Sequence, residues 1–385
     1  MKLLFVAAVS HEKLLADLLK EQPRYYGIQG QYFMRLILLG LRENGVDVRV
    51  LSNFLGASYL PAGNACEQTI RENGIEYNYL PRKRRGGYIG TWRKAIRFIK
   101  QWKKDAGYEK AVVLCDGLNF TLLMACHLCK WLYRIETVVF LTDMPRYLAK
   151  GLPARVRAWM QECIIHRMSG FMTLTRYMDE DLNRHHRPGI VIEGMVDASV
   201  QRASAGTMPR EKVCLYSGSI HKIYGIKRLV DSFLLMNRPG WVLEIYGDGD
   251  YREELVEIAS HHACIVYGGL LSREQIVERQ KQVSLLINPR PSEYEYTRYS
   301  FPSKTMEYML SGTPVLTTKL PGIPAEYDQY LYYFEGESVE AMAGKLTEIL
   351  SMDYACCLSR AKAAQQFVMS QKNNVTQMQK LISIL

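Results

Sequence analysis

LINPRPSEYEYTRYSFPSKTMEYMLSGTPVLTTKLPGIP, residues Leu286 to Pro324, is the stretch on which the fold turns. It opens with an apolar run that stops at Asn288, passes through a polar loop, and resumes with helical spacing from near Ser300–Pro302. Ser ahead of a first turn is a good cap, and Pro is tolerated inside that turn. Gly312 stops the helix, and Pro314 begins a new apolar run. Strand, helix, strand in this order is one βαβ unit of a parallel sheet.

The same rhythm extends outward in both directions. Upstream, Val213–Ser217, Val242–Tyr246, Ile265–Tyr267 and Ser284–Asn288 read as strands, with helices at Lys227–Met236 and Tyr251–His261. Ser338 to Leu385 is mostly helical. A first series lies nearer the N-terminus, with strands at Leu3–Val9, Val46–Leu51, Lys110–Leu114, Thr137–Leu141 and Gly170–Leu174 and a helix at Tyr32–Asn44. Between the two series, Val196 to Lys212 is rich in Ala, Ser, Gly and Pro and lacks apolar periodicity, which marks a linker. The expected division is 1–197, a linker at 198–212, a second domain at 213–360, and a C-terminal helix at 361–385 that returns to the first domain. Open parallel sheets place ligands beyond the carboxyl ends of their strands.

The chemistry expected of the opening stretch is anion binding. A helix N-terminus presents unpaired N–H groups and partial positive charge, which suits phosphate. Lys304 lies in that first turn, and Arg290 and Arg298 flank it, so a diphosphate leaving group could be neutralised without a metal. Glu307, one turn on, has only acceptors when ionised and suits two adjacent hydroxyls such as those of a ribose. On spacing alone, an exposed helical carboxylate near a positive helix end is the readier reading.

The run Phe301-Pro302-Ser303-Lys304-Thr305-Met306-Glu307-Tyr308-Met309, then Ser311-Gly312-Thr313-Pro314-Val315, resembles the donor-site signature of glycosyltransferase family 4, in its capsule and exopolysaccharide F-P-S-K-x-x-E-Y form. Other segments resemble that family in the same order: Leu215 to Ile220 with Tyr224-Gly225-Ile226, Ile245-Tyr246-Gly247-Asp248-Gly249, Ile192 to Asp197, and Gly27-Ile28-Gln29-Gly30 ahead of a helix. The resemblance implies an α/β protein of the GT-B fold, two Rossmann-like domains facing a central cleft. It implies a retaining transferase that moves sugar from a UDP- or GDP-sugar to a glycan or lipid-linked acceptor in bacterial surface polysaccharide synthesis, with no cofactor and no metal. Donor contacts fall on Gly218, Lys222, Gly247, Gly249, Arg290, Arg298, Tyr299, Ser300, Phe301, Ser303, Lys304 and Glu307. The acceptor side falls on Gly27, Gly30, Asp116 and Asp143.

Two departures from the family pattern shift weight onto Arg290, Arg298 and Lys304. The first Glu of the E-x7-E motif is replaced by Tyr299, so donor-sugar contacts fall to the N–H groups near Ser300 and Phe301, or to Glu295. Ser219 and Tyr224 stand where the family has a basic pair, with Lys222 nearby.

Smaller signals leave alternatives open. Asp248-Gly249-Asp250 spells a metal-binding D-x-D, or a turn into a helix. Asp143, after a strand, either orients an acceptor hydroxyl, with Lys304 and Glu307 completing the catalytic set, or caps the next helix. Asp116 is a second strand-end carboxylate. Cys126 and Cys129 form a C-x-x-C within the apolar run Phe120–Leu132, which reads as core in the absence of a second ligand pair.

The chain has 385 residues, net charge +10 and nine cysteines at irregular spacing, which excludes a disulfide framework and suggests an anionic partner. Arg82 to Lys104 holds ten Lys and Arg and no acid. Trp92, Ala95, Ile96, Ile99 and Trp102 share one helical face there, which either lies on an anionic membrane or packs onto the sheet. Met1–Val9 reads as a first strand rather than a leader, and no apolar run spans a bilayer, so a cytoplasmic protein is expected, with attachment to the inner membrane face left open. Three rival functions are weaker. A nucleotide-sugar 2-epimerase would use the same donor site. Nucleic-acid binding lacks any recognition signature, and a dinucleotide oxidoreductase lacks a G-x-G-x-x-G after its first strand.

Overall fold

The computed structural model describes residues 1–21, 27–54, 69–80, 87–199 and 211–385. Residues 200–210 of the expected linker and 82–86 of the basic run lie outside them. The chain forms two compact units, Met1–Asp197 with Asn374–Leu385, and Ala198–Asn373.

The first unit is built on strands β1 (Lys2–Ala7), β2 (Asp47–Ser52), β3 (Thr69–Glu72), β4 (Ile75–Tyr79), β5 (Ala111–Asp116), β6 (Glu136–Phe140), β7 (Gly170–Thr173) and β8 (Gly189–Val191). Their order in the sheet is β3-β4-β2-β1-β5-β6-β7-β8, and only β3 runs antiparallel to its neighbour. Leu3 of the central strand lies between Val48 and Val112. Leu3, Leu4, Phe5 and Val6 are all fully buried, because helices cover both faces of a parallel sheet. The Phe5 and Phe140 rings stack at 5.2 Å within this core.

The second unit is built on β9 (Glu211–Ser217), β10 (Val242–Tyr246), β11 (Ile265–Gly269), β12 (Val283–Asn288), β13 (Val315–Thr318) and β14 (Tyr332–Phe334). The order is β11-β10-β9-β12-β13-β14, all parallel. The chain leaves β9 toward one edge and returns at β12 toward the other, so the topological switch point lies between these two strands. In the first unit the switch lies between β1 and β5.

The C-terminal segment holds two helices. Tyr354–Gln371 belongs to the second unit, and Asn374–Ile382 packs into the first. Met378 and Leu381 are fully buried in the first core, and the Asn374 N–H donates to the Val196 carbonyl at 2.9 Å. Gly40 on the helix Ile28–Glu43 lets the Asn374 backbone approach, since a Cβ there would overlap it.

Candidate active site

In the second unit the sequence motifs converge on the switch point. β9 ends at Ser217, with Gly218 next, and β12 ends at Asn288, and the two strands are neighbours in the sheet. Gly218 (φ +146) and Gly247 (φ +145) both have backbones that side-chain-bearing residues rarely adopt. A Cβ on Gly247 would overlap the Gly218 carbonyl, and one on Gly249 would overlap the Ile220 backbone. Ile220 N donates to the Asp248 carbonyl at 3.0 Å, and Tyr251 N to the Ile220 carbonyl at 3.1 Å. The glycines therefore allow two loops to interlock along the carboxyl edge of the sheet.

The helix after β12 spans Ser303–Ser311 and ends at Gly312. It starts later than the spacing predicts. Its N-cap is Pro302, with no side-chain cap, and Ser300 does not cap it. Phe301 is buried with its ring 5.2 Å from Tyr327, and this holds the entering chain extended until Ser303. Ser303 is exposed.

Lys304 reaches back from the first turn to β9. Its ammonium lies against Gly218, where a Cβ would overlap it, and 6.0 Å from the centroid of Tyr216. Burial holds this ammonium below the ordinary lysine range, Glu307 pulls it up, and Arg290 pushes it down further. Glu307 Oε1 accepts from Gln280 Nε2 at 2.6 Å. Tyr308, fully buried one residue on, accepts from the Ser217 N–H at 2.9 Å and so ties the helix to the end of β9.

Arg290 lies between two rings, 5.6 Å from the Tyr224 centroid and 5.3 Å from that of Tyr296. Arg290 Nε, Asn288 Nδ2, Ser300 Oγ and Thr305 Oγ1 are buried and lack hydrogen-bond partners among the described residues. Buried polar groups are nearly always paired, and these four fall between the end of β12 and the first turn of the next helix, with Gln280 Oε1 unpaired as well. Arg298 and Glu295 are exposed, and Tyr299 is only 9% exposed. Lys222 pairs with Glu254 at 2.6 Å and lies 5.8 Å from the Tyr251 ring centroid.

In the first unit a cavity of about 880 Å³ opens at the carboxyl edge of the sheet. Ala8 after β1, Asn53 after β2 and Asp116 at the end of β5 line its floor, which places it at that sheet's switch point. Asn53 and Asn119 exchange hydrogen bonds, with Asn119 donating at 2.8 Å. Asp116 Oδ1 accepts from Leu118 N at 2.8 Å. Burial pushes the Asp116 carboxyl up to about 6, the N–H groups of Leu118 and Asn119 oppose the shift, and Asp143 adds to it. Asp143 is exposed and stands before Met144, which occupies the N-cap position of the helix Pro145–Leu148 without a side-chain cap.

Two glycine expectations on this side are corrected. Gly27 is the N-cap of the helix Ile28–Glu43, and Gly30 lies inside its first turn rather than in a loop ahead of it. A Cβ on Gly30 would meet nothing within 4 Å. The residue that ties this turn to β1 is Gln31, whose Oε1 accepts from Ser10 N at 2.9 Å and whose Nε2 donates to the Ala8 carbonyl at 2.7 Å.

Residues 211–352 match the family described as "Glycosyl transferases group 1", and residues 29–192 match "Glycosyl transferase 4-like domain". The chain is a family 4 glycosyltransferase. Its fold is GT-B, and as a glycosyltransferase of this type it draws its sugar from a nucleotide-sugar donor. No curated protein matches its sequence. Among solved structures it is similar to sucrose-phosphate synthase from Thermosynechococcus elongatus, at TM-score 0.69 and 15% identity over 100% of this chain and 98% of that one. It is also similar to Anabaena HepE in complex with UDP, at TM-score 0.67 and 14% identity over 100% and 99%, and to TarM, at TM-score 0.67 and 10% identity over 100% and 98%. At these identities the likeness shows the fold.

In this transferase each D-x-D carboxylate accepts from a backbone N–H, one within the turn and one from the loop after β9. Asp248 Oδ1 accepts from Gly249 N at 3.1 Å and Asp250 Oδ1 from Lys222 N at 2.8 Å. Cys126 and Cys129 are buried in the helix Phe120–Tyr133, whose flank receives the helix Gly87–Ala106. On the latter, Ala95, Ile99 and Trp102 are buried, so the apolar face of the basic segment packs inward against a neighbouring helix. Three residues of the site were not foreseen. Gln280 sits in the mostly polar helix Arg273–Gln282, and Tyr224 and Tyr296 lie in the short 3-10 turns Lys222–Tyr224 and Glu295–Tyr299, which are too short to show a period.

Proposed function

We propose that this glycosyltransferase binds a UDP- or GDP-sugar at the β9–β12 switch point and transfers the sugar, with retention and without a metal, to a glycan or lipid-linked acceptor held by the first unit. The observation that carries this reading is the arrangement on the helix Ser303–Ser311. Lys304 and Glu307 are three residues apart and share one face, beside Gly218 and Arg290. Lys304, Arg290 and the helix N-terminus supply positive charge for the departing diphosphate, which makes a divalent ion dispensable. Glu307, oriented by Gln280, offers its other oxygen to the ribose hydroxyls. Retention follows if the departing phosphate itself takes the acceptor proton on the face it leaves.

Anabaena HepE was solved with UDP and with UDP and glucose, which favours UDP among the bases. The F-P-S-K-x-x-E-Y pattern favours surface polysaccharide assembly. On the acceptor side, Asp116 and Asp143 are the carboxylates that would orient the acceptor hydroxyl. A thermal-shift screen against UDP, GDP and ADP tests the donor, since selective binding raises the melting temperature. Turnover in EDTA tests the metal. Unchanged kinetics in both Lys304→Ala and Glu307→Ala would remove the site assignment.

A further inference from the structure

The helix Leu152–Ile165 carries apolar residues on its outer face. Ala158, Gln161 and Ile165 are buried against the first unit. Leu152, Val156, Trp159 and Met160, at positions i, i+4, i+7 and i+8, are 75%, 49%, 67% and 42% exposed. Residues at this spacing form one continuous stripe on a helix. Leu148, 56% exposed, extends it from the short helix Pro145–Leu148 that packs alongside. Exposed apolar residues in isolation need no explanation, but a contiguous patch marks an interaction surface.

The charge on this surface is mostly positive, with Asp143 and Glu162 at its borders. From Met144 to Gln161 the sequence has four cations and no acid. Arg146 is paired with Glu162 and Asp181. Lys150, Arg155 and Arg157 are exposed and have no ion-pair partner among the described residues. Across the mouth of the cavity, Tyr88 and Ile89 are 71% and 66% exposed at the start of the helix Gly87–Ala106, whose Arg93 and Arg97 are exposed too. Tyr88, Ile89, Leu148 and Arg157 all line that one cavity, so the apolar stripe continues into its rim.

We infer that this rim, centred on Leu152, Val156 and Trp159, seats the first unit on an anionic lipid bilayer, with the mouth of the 880 Å³ cavity at the lipid surface. An apolar stripe bordered by unpaired Arg and Lys is the pattern of a helix lying in the plane of an interface. Trp159 supplies a ring suited to the headgroup boundary. A soluble protein partner would need complementary acids on a defined surface, whereas an anionic bilayer satisfies all the cations at once. The inference rests on the proposed function in narrowing its acceptor to one presented at a membrane, and it uses residues of the first unit only, none of them a donor residue.

The test is co-sedimentation of the full chain with vesicles of phosphatidylcholine and phosphatidylglycerol, or of phosphatidylcholine alone, at low salt. The wild type should pellet with the anionic vesicles only, and its tryptophan emission should shift to the blue, a shift the triple variant lacking Trp159 should lose. The variant Leu152→Ser/Val156→Ser/Trp159→Ser should bind at least about tenfold more weakly, given the apolar area removed. Lys150→Glu/Arg155→Glu should lose binding as well. Both should melt like the wild type and keep its UDP-induced shift, which separates this test from the donor assignment. No pelleting of the wild type, equal binding to neutral vesicles, or full binding by the triple variant would overturn the inference. So would a wild-type dimer that the triple variant turns into a monomer.

Discussion

The side-chain amide of Gln280 donates to the carboxylate of Glu307 across 2.6 Å, and Gln280 is fully buried whereas Glu307 is partly open. Gln280 is fixed in turn by Thr313 Oγ1, which donates to its backbone carbonyl at 2.6 Å. Gln280 thereby fixes one oxygen of the Glu307 carboxylate and leaves the other unengaged by it.

Gln280→Ala should therefore weaken donor binding. A hydrogen bond to a charged group contributes about 1.5–3 kcal/mol, so a donor KM about tenfold higher or more is expected, with kcat changed less. UDP titration of the variant checks this, and wild-type affinity would show that Glu307 needs no such support. Gln280→Glu should be worse, because two carboxylates would compete for one space.

Lys304 should set function against stability. Burial depresses its folded pKa, so the unfolded chain holds the proton more readily. For a base with a lowered folded pKa, the cost to stability is complete below that pKa and fades as pH rises toward the unfolded value. Holding the proton on this buried side chain thus works against the fold. Lys304→Met should melt at a higher temperature than the wild type in the absence of ligand, lose most of its UDP-induced shift, and turn over about a hundredfold more slowly. A lower melting temperature would mean that the Glu307 attraction outweighs the burial.

How far the sequence could be read depended on how local the cause was. Val242–Tyr246 was legible to both ends because an apolar run was closed by Gly247. The β3–β4 hairpin went unrecognised although Asn73-Gly74, at φ 51 and 74, is a strong turn signal between alternating residues. β8 and β14, three residues each, are too short to show a period. On the site, Lys304 and Glu307 were visible because helical spacing is local. The Ser300 cap was misread because the contact that delays the helix, Phe301 on Tyr327, is long-range. Gln280 and the Tyr224–Arg290–Tyr296 stack are likewise tertiary, and no spacing announces them.

Asp116 should make stability fall with rising pH. Its folded carboxyl titrates at about 6. The unfolded value is about 3.9, so its contribution to stability is complete below about pH 4 and is lost as pH rises through the folded value. Asp116→Asn is neutral throughout and should gain in melting temperature relative to the wild type between those limits, levelling above them. Parallel melts across this range check the sign. If Asp116 also orients the acceptor, the variant should lose transfer to the acceptor while keeping UDP binding.

Gly218 and Gly247 share an unusual backbone but should fail differently when replaced. A Cβ on Gly247 meets the Gly218 carbonyl, which belongs to a hydrogen-bonded loop and cannot retreat. A Cβ on Gly218 meets the end of the Lys304 side chain, which can swing aside. Both alanines carry backbone strain of about 1–3 kcal/mol. Gly247→Ala adds an overlap that must part the β9 and β10 loops, so a total loss of about 4 kcal/mol or more is expected. Gly218→Ala should remain folded with a modest drop in melting temperature, yet bind UDP at least about tenfold more weakly, because the displaced ammonium no longer meets the diphosphate. Urea unfolding and nucleotide titration on the two variants separate these outcomes. Equal stability losses, or full UDP affinity in Gly218→Ala, would show that the contact between Gly218 and Lys304 does not position the cation.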